Sequence, residues 1–354
     1  MSKILMKGNE VIAEAAVKAG CYYYFGYPIT PQSELVAYMA RRLPEVGGLF
    51  LQAESEIAAI NMVYGAAAAG KRVMTSSSSP GFSLKQEGIS YLVGSELPAF
   101  LVNVMRGGPG LGNIMPAQSD YFQITKGGGH GDYFCPVFAP ASLQEIVDLT
   151  LLAFDTADKY RTPVILAADG MLGQMMEPVE FFEVEAPELP EKTWAATGER
   201  GDGGPKIINS LHLDAGSLYL HNKHLNEKME AMRKNEQRFE ALMTEDADFI
   251  VVAYGTVSRI AMNAVHEARV KGIKVGMIRP ITLWPFPQKP FEETREKVKA
   301  FITVEMSAGQ MIEDVRLAVN GHAPVKFYGK NGGIVPTSEE ILEKIIAVAG
   351  GDHA

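Results

Sequence analysis

The hydrophobic and polar positions fall into a repeating order from the amino terminus. Gly8 to Gly20 carries Val11, Ile12, Ala15, Ala16 and Ala19 at helical spacing, with Gly20 as the stop. Cys21 to Phe25 predicts an aromatic-rich strand. Tyr27-Pro28-Ile29-Thr30-Pro31 follows as a stiff loop, and a helix runs from Gln32 to Arg42 with Pro31 at its first turn. Leu49 to Ala53 is a short apolar strand. It leads through Glu54-Ser55-Glu56 into an Ala-rich helix ending at Gly70. Lys71 to Thr75 predicts a strand, Phe82 to Gly94 a helix, and Ala99 to Met105 a third apolar strand. Strand, helix, strand, helix, strand implies a parallel sheet with right-handed crossovers. Each strand of the stretch from Leu49 to Gly112 ends in unusual chemistry: two carboxylates, four serines (Ser76 to Ser79), then Arg106 with glycines. Ligands of open α/β sheets bind at such carboxyl ends.

Asn113 to Tyr133 is irregular, and Gly127 to Tyr133 is too glycine-rich for a packed element. A helix from Ser142 to Lys159, opened by a Ser142/Glu145 capping box, and a strand from Pro163 to Ala167 complete the first unit. Glu177 to Pro205 predicts a linker, and Ser217 to Met243 a helix with Leu225, Met229, Met232, Phe239 and Met243 on one stripe. A second α/β unit starts at Asp248, with strands at Phe249–Tyr254, Lys274–Ile278 and Phe301–Glu305. The glycine turn at Gly255 opens a helix from Arg259 to Lys271, and a closing helix runs from Ser338 to Val348. The expected domains are 1–185, a linker and long helix at 186–245, and 246–354.

Composition narrows the class. The chain has 354 residues, 47% hydrophobic, with 33 basic against 42 acidic side chains, hence a net charge of −9. That balance argues against nucleic-acid or membrane-surface partners. No apolar run reaches membrane-spanning length and no leader pattern opens the chain, so a cytoplasmic protein is expected. Cys21 and Cys135 form no CxxC pair and are expected as buried small hydrophobes. A cubane cluster needs about four thiolates, so this chain is not expected to hold one alone.

Glu54 fits a helix start electrostatically. Glu56 lies where the helix bearing Ile57, Ile60 and Val63 is expected to be buried, so its carboxylate would need a partner and be perturbed. Amides around Ser76 to Ser79 suit an anion or a ligand carbonyl. Arg106, beside glycines, has room to grip a carboxylate bidentately, with a surface salt bridge as the alternative. Thr30 places a hydroxyl beyond the first strand of the sheet. Gly108 to Gly112 superficially matches a dinucleotide fingerprint, but no helix clearly opens after it. Gly201-Asp202-Gly203, with Asn226 downstream, imitates the Mg-diphosphate motif of thiamine enzymes but sits in a polar linker ahead of Pro205. His130 has no second ligand at metal spacing.

Gly26-Tyr27-Pro28-Ile29-Thr30-Pro31, Glu54-Ser55-Glu56-Ile57-Ala58-Ala59-Ile60, Thr75 to Leu84 and Asn103 to Pro109 occur in order. Together they closely resemble the α subunit of 2-oxoacid:ferredoxin oxidoreductases. Tyr254-Gly255-Thr256 and Ile278 to Phe286 resemble that family's transketolase-C-terminal-like domain. Gln52 to Tyr64 and Lys126 to Tyr133 are most similar to the branched-chain (3-methyl-2-oxobutanoate) type. The resemblance implies a pyrimidine-binding α/β domain for thiamine diphosphate shared with a β subunit. That partner would hold Mg and a 4Fe-4S cluster, with γ and ferredoxin-like δ subunits completing the complex. It implies CoA-dependent oxidative decarboxylation with reduction of ferredoxin. Glu56 matches the glutamate that hydrogen-bonds the aminopyrimidine, Thr30 and Arg106 match the residues that hold the 2-oxoacid, and Pro28, Ile29, Ser77 and Ser78 would line the cofactor. A 2-oxoglutarate or pyruvate enzyme remains open, the former needing an extra cation such as Lys85 or Lys126. So do a non-catalytic scaffold subunit and a nicotinamide dehydrogenase.

Overall fold

The computed structural model describes residues 3–181, 191–198 and 204–351. The first part runs β1 (Ile4–Lys7), α1 (Gly8–Lys18), β2 (Tyr23–Gly26), α2 (Ser33–Glu45), β3 (Leu49–Gln52), α3 (Glu56–Ala68), β4 (Val73–Ser77), α4 (Ser79–Leu84), α5 (Gln86–Gly94) and β5 (Ala99–Met105). It continues through α6 (Tyr121–Thr125), β6 (Val137–Phe138), α7 (Leu143–Tyr160), β7 (Pro163–Asp169), α8 (Gly170–Gln174) and β8 (Met176–Val179). The second part comprises α9 (Ala215–Asn235), β9 (Phe239–Leu242), β10 (Phe249–Val252), α10 (Gly255–Val270), β11 (Val275–Pro280), β12 (Thr282–Trp284), α11 (Lys289–Thr294), β13 (Ala300–Glu305), α12 (Met311–Val319), β14 (Val325–Gly329) and α13 (Ser338–Ala349).

The larger sheet has seven strands in the order β12-β6-β7-β5-β4-β2-β3, parallel except for β12. The chain steps outward from β2 to β3, then returns past β2 to β4 and β5. The switch point, where an open parallel sheet offers a crevice, therefore lies between β2 and β4. Alternation splits β5 and β7 between two cores. Phe100, Val102, Val104, Val164 and Leu166 face the core that contains α1, α2 and α7 residues. Ala99, Leu101, Met105, Ile165 and Ala167 face the core built with Ile60, Val63 and Leu92. That second core continues into Ile250, Ile278 and Phe301 of the carboxyl-terminal part.

The smaller sheet has the order β14-β13-β10-β11-β9, with β9 antiparallel to β11. Directly after β11, β12 crosses over and pairs antiparallel with β6 of the larger sheet. Arg279, 4% exposed, clamps the same junction, donating to both Glu145 oxygens at 2.9 and 2.6 Å and to Glu240 at 2.9 Å.

Several expectations are corrected. The helix predicted from Ser217 to Met243 stops at Asn235, and Phe239–Leu242 is an edge strand. Glu236 accepts from Lys159, Tyr160 and Arg238, which pins the chain, and pairing with β11 then outweighs the helical stripe. The helix predicted from Phe82 to Gly94 is two, broken at Lys85 and starting earlier because Pro80 fits a first turn after Ser78. Ser142 caps α7, but the Glu145 carboxylate accepts from Ala141 N rather than closing the box. The irregular segment after Gly112 contains α6. Gly201-Asp202-Gly203 lies outside the described residues, and Asn226 is exposed on α9. Cys21 and Cys135 are free and buried, and burial pushes both thiols up to about 12. No helix among the described residues is long and apolar enough to cross a membrane.

Candidate active site

The loop after β2 is tied down by neutral hydrogen bonds. Ser76 Oγ donates to Gln32 Oε1 at 2.6 Å, so the Tyr24 hydroxyl, 2.7 Å away, donates to Ser76. Burial pushes the Tyr24 phenol up, which keeps this chain uncharged. Gln32 Nε2 donates to Tyr27 O at 3.3 Å, while Asn9 and Gln174 both donate to Pro31 O, at 2.7 and 3.2 Å. Pro28 and Thr30 are left exposed and Ile29 half-buried over the switch point.

Ser55 caps α3, its Oγ accepting from Ala58 N at 3.1 Å. Glu54 is exposed, whereas Glu56, the first residue of the helix, is only 7% exposed. Ile57, expected in the core, is 51% exposed, because the helix turns that face outward. Glu56 is packed over α4. A Cβ on Gly81 would lie 2.4 Å from Glu56 Oε1 and 2.3 Å from Ser77 Oγ, so only glycine permits this approach. Ser77 Oγ and Ser78 Oγ are buried without a hydrogen-bond partner among the described residues. Such orphaned groups call for an explanation, a ligand among them. Beneath the same turn lies Lys85, 0% exposed, its Nζ 3.1 Å from Thr75 Oγ1 and 3.5 Å from Glu56 O. Burial pulls its ammonium down to about 7, against the opposing pull of the Glu56 charge.

Arg106 is half-buried at the end of β5. It meets Thr30 through the main chain: Nη1 donates to Thr30 O at 2.9 Å and Nη2 to Leu111 O at 3.1 Å. The fork is thus partly committed, while Nε is buried without a hydrogen-bond partner among the described residues. Ser79 links this corner to the serine turn, accepting from Arg106 N at 3.0 Å and donating to Asp120 at 2.6 Å. Asn103 also donates to Asp120, at 2.9 Å, and burial raises the pKa of that carboxyl. Gly108 to Gly112 folds as a tight turn closed by Asn113 N donating to Gly107 O at 2.9 Å, and no helix opens directly from it, the next being α6 at Tyr121.

Thr30, Glu56, Ser77, Ser78 and Arg106 therefore surround one corner of the sheet. Sequence reasoning gives no sign of Asn9, Gln32, Asn103, Asp120 and Gln174, and it raises Lys85 only as a cation for a second substrate carboxylate. Burying a lysine or a glutamine against a site leaves no periodic signal, although Gln32 and Lys85 directly follow motifs already singled out. Exposed His130 and Lys126 lie away from this network: Lys126 pairs with Asp314, and His130 O accepts from Ser90 at 2.7 Å. No cluster of three or more His, Cys, Asp or Glu side chains able to hold a metal occurs among the described residues.

Residues 14–246 match the family model described as pyruvate flavodoxin/ferredoxin oxidoreductase, thiamine diphosphate-binding. The chain belongs to this family. Residues 247–341 match the pyruvate:ferredoxin oxidoreductase core domain II. Ketoisovalerate oxidoreductase subunit VorB of Methanothermobacter marburgensis is 53% identical, over 99% of each chain. 2-Oxoglutarate synthase subunit KorA of Methanothermobacter thermautotrophicus is 36% identical, over 96% of this chain and 97% of that one. A solved 2-oxoglutarate:ferredoxin oxidoreductase from Magnetococcus marinus, with 2-oxoglutarate, coenzyme A and succinyl-CoA bound, superposes with a TM-score of 0.86 at 28% identity. It covers 98% of this chain, which spans 65% of that longer polypeptide. The membership read from the four ordered motifs is borne out.

Proposed function

We propose that this chain is the subunit of a branched-chain 2-oxoacid:ferredoxin oxidoreductase that holds the aminopyrimidine side of thiamine diphosphate at the switch point. The observation that carries this reading is the Glu56 carboxylate packed on Gly81, beside the unpartnered hydroxyls of Ser77 and Ser78. A planar polar heterocycle fits that set, with a carboxylate for a ring nitrogen and hydroxyls for an exocyclic amine. Bound thiamine diphosphate supplies the carbanion chemistry by which a 2-oxoacid loses CO2. Glu56 would exchange a proton with the ring nitrogen, Pro28 and Ile29 would line the ring, and Arg106 Nε with Thr30 would orient the 2-oxoacid. Residues 1–185 would carry the pyrimidine site and 246–354 the transketolase-like unit. Mg, 4Fe-4S clusters and the ferredoxin contact would reside on β, γ and δ partners. Leu51, Ile57, Leu84, Leu111, Ile114 and Met115, all exposed on elements of the site, offer a partner an apolar surface.

The branched-chain reading gains support from the two lysines that a 2-oxoglutarate enzyme could recruit. Lys85 is sealed beneath Glu56 and Lys126 is paired with Asp314, so neither offers a free cation to a second carboxylate. The test is the reconstituted complex assayed with a viologen acceptor and coenzyme A against a panel of 2-oxoacids. The highest kcat/KM is expected for 3-methyl-2-oxobutanoate, and a preference for 2-oxoglutarate would overturn the substrate assignment.

A further inference from the structure

We propose that Lys85 is a positioning residue for Glu56, a buried cation under the first turn of α3 that fixes the carboxylate's main chain and sets the charge behind it. The inference rests on the reading of Glu56 as the cofactor's proton partner, and it deepens that reading.

A lysine is almost never fully buried without a countercharge, because desolvation of an ammonium is costly. Lys85 has 0% exposure, and its acceptors among the described residues are a threonine hydroxyl and a main-chain carbonyl. That carbonyl belongs to Glu56 itself, at 3.5 Å, and the hydroxyl to Thr75 on β4, at 3.1 Å. The side chain therefore ties the start of α3 to the strand that leads into Ser77. Among the described residues, Glu56 on α3 is the charged group that acts on it, Thr75 on β4 is neutral, and its buried chain neighbour Gln86 on α5 is neutral. A structural role alone would be better filled by an aliphatic side chain in so enclosed a place. A titrating ammonium does something a leucine does not: it presents Glu56 with a positive charge at low pH and a neutral amine at high pH. The fall of its pKa to about 7 places that change where the enzyme would work.

Two measurements test this. The first is the melting temperature of the full chain against pH, which reads no activity. A lysine whose folded pKa lies below its unfolded value costs stability while protonated, and stability rises with pH from about 7 toward 10.5 as the unfolded chain keeps the proton the folded one has lost. Lys85→Met is expected to abolish that rise and to melt no lower than the parent at pH 6. The second is steady-state kinetics of the reconstituted complex. The parent kcat profile is expected to show a limb near neutral pH. Lys85→Met should remove the limb and lower kcat about tenfold, on the order of a mismatched proton-transfer group, with KM unchanged. Lys85→Arg, whose charge does not titrate in this range, should restore most of kcat and still lack the limb. Parental kcat and an unaltered limb in Lys85→Met, or a loss confined to melting temperature, overturns the proposal. Should Lys85→Met fail to fold, Thr75→Val removes the ammonium's hydroxyl acceptor and must shift the limb to lower pH; an unmoved limb again overturns it. Glu56→Gln separates the two readings. If that variant is crippled while Lys85→Met is parental, only the Lys85 inference falls, whereas a fully active Glu56→Gln removes the reading beneath it.

Discussion

Glu56 and Gln differ by one heavy atom, so Glu56→Gln should keep the packing over Gly81 and change only the chemistry. The variant is expected to melt within a few degrees of the parent and to lose roughly 10²-fold or more in kcat, as removal of a proton-transfer partner does. Parental turnover in the reconstituted complex would make Glu56 a helix-start carboxylate and nothing more. Gly81→Ala makes the complementary perturbation. Its methyl group would meet Glu56 Oε1 at 2.4 Å and Ser77 Oγ at 2.3 Å, so the carboxylate must move. Titration of the complex with thiamine diphosphate should show affinity weakened roughly tenfold or more, in line with the sensitivity of preorganised sites to ångström shifts. Arg106 tests substrate rather than cofactor. Its Nη groups hold Thr30 O and Leu111 O, which a lysine can reach one at a time and without the fork. Arg106→Lys should raise the KM for the 2-oxoacid roughly 10–100-fold, the value of one charge-assisted hydrogen bond, with cofactor affinity unchanged. An unaltered KM would leave substrate recognition to Thr30 and the partner chain.

At the scale of elements, the end of α9 is where a charge decides the path of the chain. Glu236 is 3% exposed and accepts from Lys159, Tyr160 and Arg238, and these hydrogen bonds hold its pKa below the ordinary 4.5 against the opposing effect of burial. A carboxylate depressed in the folded state contributes stability that is complete above its unfolded value and disappears as pH falls through the folded one. Urea denaturation of the parent should therefore show stability falling below about pH 4.5. Glu236→Gln should lower stability at neutral pH by about 1–3 kcal/mol and flatten that acid slope. An unchanged slope would place the acid sensitivity elsewhere, at Glu96 for example, whose carboxyl is also held down by Lys228. Since Glu236 separates α9 from β9, the variant also asks whether the helix lengthens toward the residues whose periodicity predicted one.

For the whole molecule, the described residues gather groups suited to one end of a thiamine cofactor, and the exposed apolar side chains beside them await cover. Isothermal calorimetry of the isolated full chain with thiamine diphosphate and Mg is expected to show no tight binding, and binding should appear when the partner subunits are added. Tight, Mg-dependent binding to this chain alone would sink the shared-site reading. The two sheets are not independent either, since β12 leaves the smaller one to pair with β6 and Arg279 ties β11 to α7 and β9.

The sequence by itself determined that β2 through β5 run parallel, because short apolar strands alternating with helices need helical crossovers. It also singled out Thr30, Glu56, the serine turn and Arg106, since strand ends are where an open sheet exposes chemistry. Four ordered motifs carried the family. What it could not reach were relations set by sheet order. Asn9 and Gln174 meet at Pro31 only because α1 and α8 pack side by side, and Arg106 meets Thr30 only because β5 and β2 flank β4. Periodicity reports how much of a residue is buried, not against what. So Lys85 stood as a candidate cation for a second carboxylate near Arg106, and Phe239 as the continuation of a helix. Tertiary packing reversed both: it sealed the ammonium behind Glu56, and it gave the backbone of Phe239–Leu242 a strand to bond.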